Sequence, residues 1–263
     1  VDPDKPHLSI YHPVNGYMNN TGDVLVAWTG TDSGSGVKGY SIRYDLGDWI
    51  DIGIVNEYLL RDLDEGVHHI YVKALDLAGN EVIVSSMIIV DRTPPLVNIQ
   101  VPEENGLYSE GFILEWTASD LLSGIGEAMF KVDNGSYRIL GEGEPFELEY
   151  TSDGVHRLVL EVRDGAGNSE ILTRQFYFDT KKPRVVSALP TGRDVPVDTS
   201  VIIEFSEQMN TSSVKVDIND LDGSYEWNGS NLTFVPSSIL EYDTKYSIQL
   251  TGSDPAGNRL STF

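Results

Sequence analysis

Three stretches of the chain share one spacing: "DLAGN" (76–80), "DGAGN" (164–168) and "DPAGN" (254–258). An aspartate and an asparagine four residues apart in a glycine loop could offer oxygens to a cation. Calcium takes about six to eight oxygens, whereas each loop supplies one carboxylate and one amide oxygen, with Asp32 and Asp120 as further donors. The competing reading is a tight hairpin. Gly79, Gly167 and Gly257 accept positive φ cheaply, the following asparagine tolerates the left-handed region, and Asp76, Asp164 and Asp254 can accept bonds from loop N–H groups. The ligand count favours the structural turn. No cofactor is assigned, and calcium is the one alternative kept open.

Other candidates for chemistry are weaker. "DINDLDG" (217–223) begins like a calcium-binding loop, but Leu221 falls on a ligand position and Gly229 replaces the closing glutamate. An acidic turn is the better reading. His68 and His69 are adjacent, so on a strand they face opposite sides and cannot share a metal. His68 aligns with His156, which suggests a partly buried histidine serving the fold. "DSGSGV" is a glycine loop with no helix pattern after it, so it is not a nucleophile elbow. Phosphate-binding glycine motifs are absent. Trp49, Tyr137 and Trp227 could stack on sugar rings, although tyrosine and tryptophan more often cover a core rim. Asn19, Asn134, Asn210, Asn228 and Asn231 each open an N-x-Ser/Thr triplet compatible with a surface location. The sequence therefore assigns no catalytic, cofactor-binding or metal residue, and the expectation is a protein that is not an enzyme.

Composition narrows the partners. The 263 residues carry 41 acidic against 18 basic side chains, a formal charge of −23. Such a chain repels nucleic acid and anionic lipid. No apolar run approaches the roughly 18 residues needed to span a bilayer, so no membrane insertion is expected. There is no cysteine, which excludes disulfides and thiol chemistry without placing the protein in a compartment.

The elements that hold these loops are repeated. "WTGTDSGSGV" (28–37) meets "WTASDLLSGI" (116–125), and "EGVHHIYVKALDLAGN" (65–80) meets "DGVHRLVLEVRDGAGN" (153–168), at one ungapped offset of 88 residues. The phrase "VDRTPP" (90–95) returns as "FDTKKP" (178–183), and "VDPDKP" (1–6) is a third copy. Proline removes a ladder donor and fixes φ, so each phrase marks where one sheet stops and the next begins. The expected boundaries are 1–5 for the end of a preceding domain, then domains at 6–93, 94–181 and 182–263. The third domain opens without the tryptophan and the Asp-Ser-Gly loop, which marks a different subtype. It stops at "LSTF", so its last strand is expected to be truncated.

Period-two alternation dominates. Aligned pairs set its phase: Val24, Val26 and Trp28 with Phe112, Leu114 and Trp116 point inward, opposite Ala27 and Glu115. Tyr40, Ile42 and Tyr44 point inward opposite Arg43, as do Ile70, Val72 and Ala74 opposite Lys73. Their counterparts Leu158, Leu160 and Val162 lie opposite Glu161. The expected fold class is all-β, three tandem immunoglobulin-like antiparallel β-sandwiches.

The third unit, through "LPTGRDVPVDTSVIIEFSEQMN", "LTFVPSSILEYDTKYSIQL" and "DPAGN", resembles the bacterial immunoglobulin-like domain of S-layer and other secreted prokaryotic proteins. The first two resemble immunoglobulin-like repeats of bacterial and archaeal surface proteins, through "SGV"/"SGI", "EGVHHIYVKALD" and "VDRTPP". The resemblance implies non-catalytic spacer or adhesion modules of an extracellular, cell-surface protein. Its implied partners are neighbouring domains of the same chain, with a cell-surface protein or glycan beyond them. The alternative is a carbohydrate- or protein-binding appendage of a secreted enzyme whose catalytic domain lies elsewhere.

Overall fold

A computed structural model describes residues 2–141, 145–149 and 151–261. The expected truncation at "LSTF" turns on residues 262 and 263, which lie outside the described residues, as does Val1 of the first boundary phrase. Among the described residues no helix is long and apolar enough to cross a membrane. The chain is all-β, as its alternation predicts, and forms three tandem immunoglobulin-like sandwiches. Its contacts gather into two compact units, residues 1–99, 116–144 and 159–173, and residues 100–115, 145–158 and 174–263.

The first unit contains the whole first sandwich. Its strands are β1 (His7–His12), β2 (Tyr17–Asn19), β3 (Val24–Thr31), β4 (Val37–Tyr44), β5 (Ile50–Gly53), β6 (Glu57–Leu60), β7 (Gly66–Asp76) and β8 (Glu81–Val90). They form a sheet β1-β3-β6 and a sheet β2-β8-β7-β4-β5. The opening segment switches sheets: β1 runs antiparallel to β3, whereas β2 lies parallel to β8. Between the sheets sits a core of Val24, Val26, Trp28, Ile42, Ile70, Val72, Ala74, Ile88 and Val90, each no more than 1% exposed. Burial of such side chains is worth about 1.5–3 kcal/mol each relative to exposure. This alternation supplies the driving force that a cysteine-free domain cannot take from disulfides.

Two positions depart from the alternation. Ala27 is buried although it faces away from the core, because β3 is the central strand and His12 and Glu57 flank the small side chain in register. Tyr44, expected inward, is exposed at the end of β4.

The second repeat contributes β9 (Leu96–Val101), β10 (Gly106–Tyr108), β11 (Phe112–Ser119), β12 (Ile125–Val132), β13 (Arg138–Leu140), β14 (Phe146–Leu148), β15 (Gly154–Asp164) and β16 (Ser169–Phe178). Its strands follow the order of the first: β14-β11-β9 in one sheet and β10-β16-β15-β12-β13 in the other. Within the second unit, Phe112, Phe176 and Phe178 pack with edge-on ring contacts at 5.4 and 5.6 Å. His156 lies 5.5 Å from both Phe176 and Phe178. Glu161, expected outward, is 8% exposed because Arg163 covers it with bonds of 2.9 and 2.6 Å.

The third sandwich lies wholly in the second unit, with β17 (Val185–Leu189), β18 (Val201–Phe205), β19 (Lys215–Ile218), β20 (Gly223–Asn228), β21 (Asn231–Pro236) and β22 (Ile248–Thr251). Its sheets are β17-β18-β21-β20 and β19-β22, a pattern distinct from the first two. Ile203, Phe205, Met209 and Leu232 form its buried centre.

Candidate functional site

The Asp-x-Ala-Gly-Asn loops are turns. In each, the backbone closes from the aspartate N–H to the asparagine carbonyl at 3.0, 3.0 and 3.1 Å. Asp164 Oδ1 accepts from the N–H groups of Ala166, Gly167 and Asn168 at 2.7–2.9 Å, and Asp76 and Asp254 accept from Asn80 and Asn258 at 2.8 Å. Gly79, Gly167 and Gly257 take φ of 96°, 95° and 94°, where any other L-residue is strained. The first loop joins β7 to β8 and the second joins β15 to β16, so each closes the last hairpin of its sandwich.

The asparagine has a different task from the one expected. None of the three adopts the left-handed region. Each instead turns its side-chain amide back toward the boundary phrase. Asn168 Nδ2 donates to the Asp91 carbonyl at 2.8 Å and to Asp164 Oδ2 at 2.7 Å. Asn258 Nδ2 donates to the Asp179 carbonyl at 2.7 Å and to Asp254 Oδ2 at 2.9 Å. Asn80 Nδ2 donates to the carbonyls of Asp2 and Asp4, both at 2.9 Å, and to Asp76 Oδ2 at 2.7 Å. One residue thus closes a hairpin and holds the segment that enters its own sandwich. The turn and the junction are the same structure.

Carboxylates converge at each joint. One oxygen from each of Asp2, Asp32 and Asp76 lies within 4.8 Å of the others; the same holds for Asp91, Asp120 and Asp164, and for Asp179, Glu207 and Asp254. Asp32 and Asp120 directly follow β3 and β11, and Glu207 follows β18 by two residues. Asp32 and Asp120 were foreseen as further donors. Asp2, Asp91 and Asp179 were not, because their spacing of 88–89 residues read as a linker repeat. Glu207 was missed because the third domain lacks the Asp-Ser-Gly loop.

Local hydrogen bonds pin each group. Asp120 Oδ1 accepts from Leu122, Ser123 and Gly124 N–H at 2.8–3.0 Å, and Asp32 Oδ2 accepts from Gly34 and Gly36 at 3.1 and 2.6 Å. Asp91 Oδ2 accepts from the Ser123 hydroxyl at 2.6 Å. Burial pushes the Asp91 carboxyl up, but Ser123 and Thr93 outweigh it and hold the pKa below the ordinary carboxylate value. Burial likewise opposes Asp76, where bonds from Asn80 prevail and lower it. The N–H of Ser35 lowers Asp2. Glu207 is raised, first by burial and then by the Asp179 and Asp254 carboxylates.

His68 is a structural histidine. Its Nδ1 lies 2.8 Å from Asp45 Oδ2 and its Nε2 lies 2.7 Å from the Asp64 carbonyl, while His69 is exposed on the opposite side. Trp49 covers cations instead of a core rim: Arg43 and Lys73 lie 4.8 and 4.7 Å from its ring centre, and Lys131 lies 4.7 Å from Tyr137. Trp227 stacks on Phe205 at 5.9 Å. The 217–223 segment is an acidic turn, with Asn219 and Asp220 at φ 49° and 60°. Asn134, Asn210, Asn228 and Asn231 are exposed, whereas Asn19 is tied into its own turn by four hydrogen bonds.

These features define a tandem immunoglobulin-like protein with an acidic, hydrogen-bonded joint before each sandwich. Residues 179–263 match the family model described as the bacterial Ig-like domain. No curated protein sequence matches. Among solved structures, the fibronectin(III)-like modules of Clostridium thermocellum CbhA are 18% identical, with a TM-score of 0.43 over 66% of this chain and 94% of that one. A bacterial ice-binding adhesin is 13% identical, with a TM-score of 0.38 over 98% and 96%. The SGBP-B protein of the Bacteroides ovatus mixed-linkage glucan utilization locus, solved with a heptasaccharide, is 13% identical, with a TM-score of 0.25 over 98% and 66%. At these scores the likeness adds nothing to what the strand pairing itself shows.

Proposed function

We propose that the chain is a non-catalytic spacer of a larger prokaryotic cell-surface or secreted protein, built from modules at 6–93, 94–181 and 182–263. The observation that carries this reading is the asparagine bridge. At all three joints a side chain of the closing hairpin bonds the carbonyl of the entering segment. A joint built this way resists bending, which is what a spacer or presenting stalk requires and a catalytic site does not. The partners are neighbouring modules of the same chain, and the setting is extracellular. The bacterial Ig-like match of residues 179–263 supports this reading.

Small-angle X-ray scattering tests the reading. A stiff spacer gives one distance distribution that fits a single arrangement of the modules, with little change between dilute and high salt. A profile that fits only a broad ensemble bending at 91–95 and 179–183 would refute it. For the alternative of a carbohydrate-binding appendage, polysaccharide pull-down with and without Trp49→Ala is the direct check. Retention that disappears in the variant would favour that alternative.

A further inference from the structure

We propose that the outer face of β4, β5 and β7 in the first sandwich is a glycan site, selective for a sugar that carries an isolated carboxylate. Arg43 leaves β4 opposite the buried Ile42, and Tyr71 and Lys73 leave β7 opposite the buried Ile70, Val72 and Ala74. Alternation therefore puts all three on the side away from the core. Register places Arg43 beside Tyr71 and Ser41 beside Lys73. Trp49, directly before the edge strand β5, joins the group. Arg43 and Lys73 lie 4.8 and 4.7 Å from its ring centre, and Arg43 lies 4.6 Å from that of Tyr71. All four residues are half-buried, so each keeps some surface open to solvent.

Two observations point to an external ligand. Arg43 has no hydrogen bond and no ion pair among the described residues, in a chain with 41 acidic side chains. Its Nε is buried without a partner, which native structures seldom leave unexplained. Lys73 reaches only Glu81, at 3.9 Å. The second repeat then shows that the sandwich does not need this group. At the offset of 88 residues the four positions become Lys131, Tyr137, Val159 and Glu161. One cation still lies over one ring, 4.7 Å away, but the second ring is a valine and the second cation a glutamate. The strand order is unchanged, so the full stack is an addition particular to the first module.

The side chains select the ligand class. A planar guanidinium held against aromatic rings matches the two oxygens of a carboxylate. Trp49 and Tyr71 offer ring surface to the C–H face of a sugar. Ser41, Asp51 and Ser85, in register on the same face, can bond its hydroxyls. The acidic remainder of the chain limits the charge. At physiological salt a field fades within about 8 Å, so a single carboxylate meets mainly Arg43 and Lys73. A dense polyanion would also have to lie along acidic surface, and is repelled. The inference rests on the surface setting of the spacer reading for its ligand, but not on stiff joints.

The test uses the isotope-labelled whole chain, followed by NMR at the amides of Arg43, Trp49, Tyr71 and Lys73. The probes are sialyllactose, lactose, triglutamate and heparin. Sialyllactose should shift these amides with a single saturable curve, and lactose, which lacks the carboxylate, should bind at least about 10-fold more weakly. Arg43→Gln and Trp49→Ala should each weaken sialyllactose by about 10- to 100-fold while keeping a near-wild-type unfolding midpoint. Arg43→Lys keeps the charge but loses the fork, so it should not restore full binding. Lys131→Gln, at the incomplete counterpart, should change nothing. If Trp49→Ala unfolds, Arg43→Gln carries the test.

The proposal is overturned if sialyllactose shifts none of these amides, or if Arg43→Gln binds it as wild type does. It is equally overturned if lactose binds as tightly, which would make the carboxylate irrelevant. Triglutamate binding as tightly would identify an acidic protein segment as the partner, and tighter binding of heparin would identify a polyanion. Scattering that shows freely bending joints counts against the spacer and leaves the glycan site standing. Absent sialyllactose shifts remove the site and leave the spacer.

Discussion

Replacing Asn168 with alanine should loosen the second joint more than it loosens the hairpin. The side chain donates to the Asp91 carbonyl at 2.8 Å and to Asp164 Oδ2 at 2.7 Å. The first bond is neutral, worth about 0.5–1.5 kcal/mol, and the second is charge-assisted, worth about 1.5–3 kcal/mol. The Asp164 carboxylate keeps its three bonds from loop N–H groups to Oδ1, so the turn itself persists. The Asp91 carbonyl loses its amide partner. Only the first of these bonds holds the joint, and losing about 0.5–1.5 kcal/mol there corresponds to roughly 2- to 12-fold faster opening.

Hydrogen exchange reads this directly at two amides. Asp91 N–H bonds the Asn19 carbonyl at 2.9 Å, and Thr93 N–H bonds Asp91 Oδ1 at 3.0 Å. Both should exchange faster by that factor in Asn168→Ala. Gly167→Ala is the matched control, because it strains the hairpin at φ 95° without removing either bond from Asn168. It should speed exchange along the loop and leave Asp91 and Thr93 nearly unchanged. If Asn168→Ala leaves the joint amides protected, or if the two variants give the same exchange pattern, the bridge does not hold the joint and the reasoning fails.

Two other predictions address separate parts of the fold. The His68 pKa is raised because, although burial opposes its charge, the Asp45 carboxylate and the Asp64 carbonyl more than compensate. Its contribution to stability is therefore complete below an unfolded pKa of about 6.5 and is lost as pH rises through the higher folded value. Urea unfolding from pH 5.5 to 9 should show this decline in wild type and a flatter profile in His68→Gln; equal slopes would refute it. Gly165→Ala should cost about 1–3 kcal/mol by overpacking, since an added Cβ would stand 2.5 Å from the Ser123 carbonyl oxygen and 2.7 Å from Met18 Sδ. Urea midpoints measure this effect, and a neutral outcome would show that Met18 does not press on the joint.

Much of the fold was legible in the repeat. Two aligned copies fixed the phase of each strand, so Val26, Ile42, Ile70 and Val72 could be placed inside before any contact was known. Exceptions came where neighbours, not the strand, decide exposure. Ala27 is covered because it is small and sits on a central strand, and Glu161 because Arg163 lies over it. The hairpin aspartates were legible as well, since their acceptors and donors are four residues apart.

The joint was not legible, and the reason is distance along the chain. Asp91, Asp120, Asp164 and Asn168 span 78 residues, and nothing local says that these loops share one end of a sandwich. The period marked each of them as recurrent, and local chemistry explained each as a turn or a linker. Sheet topology brings the end of β3 or β11, the closing hairpin and the entering segment to one place. There a hairpin asparagine becomes a clasp, and three ordinary aspartates become a cluster of like charge. Alternation and turn chemistry are short-range properties, carried by the residues themselves. Convergence of charge is long-range, and exists only once the strands have paired.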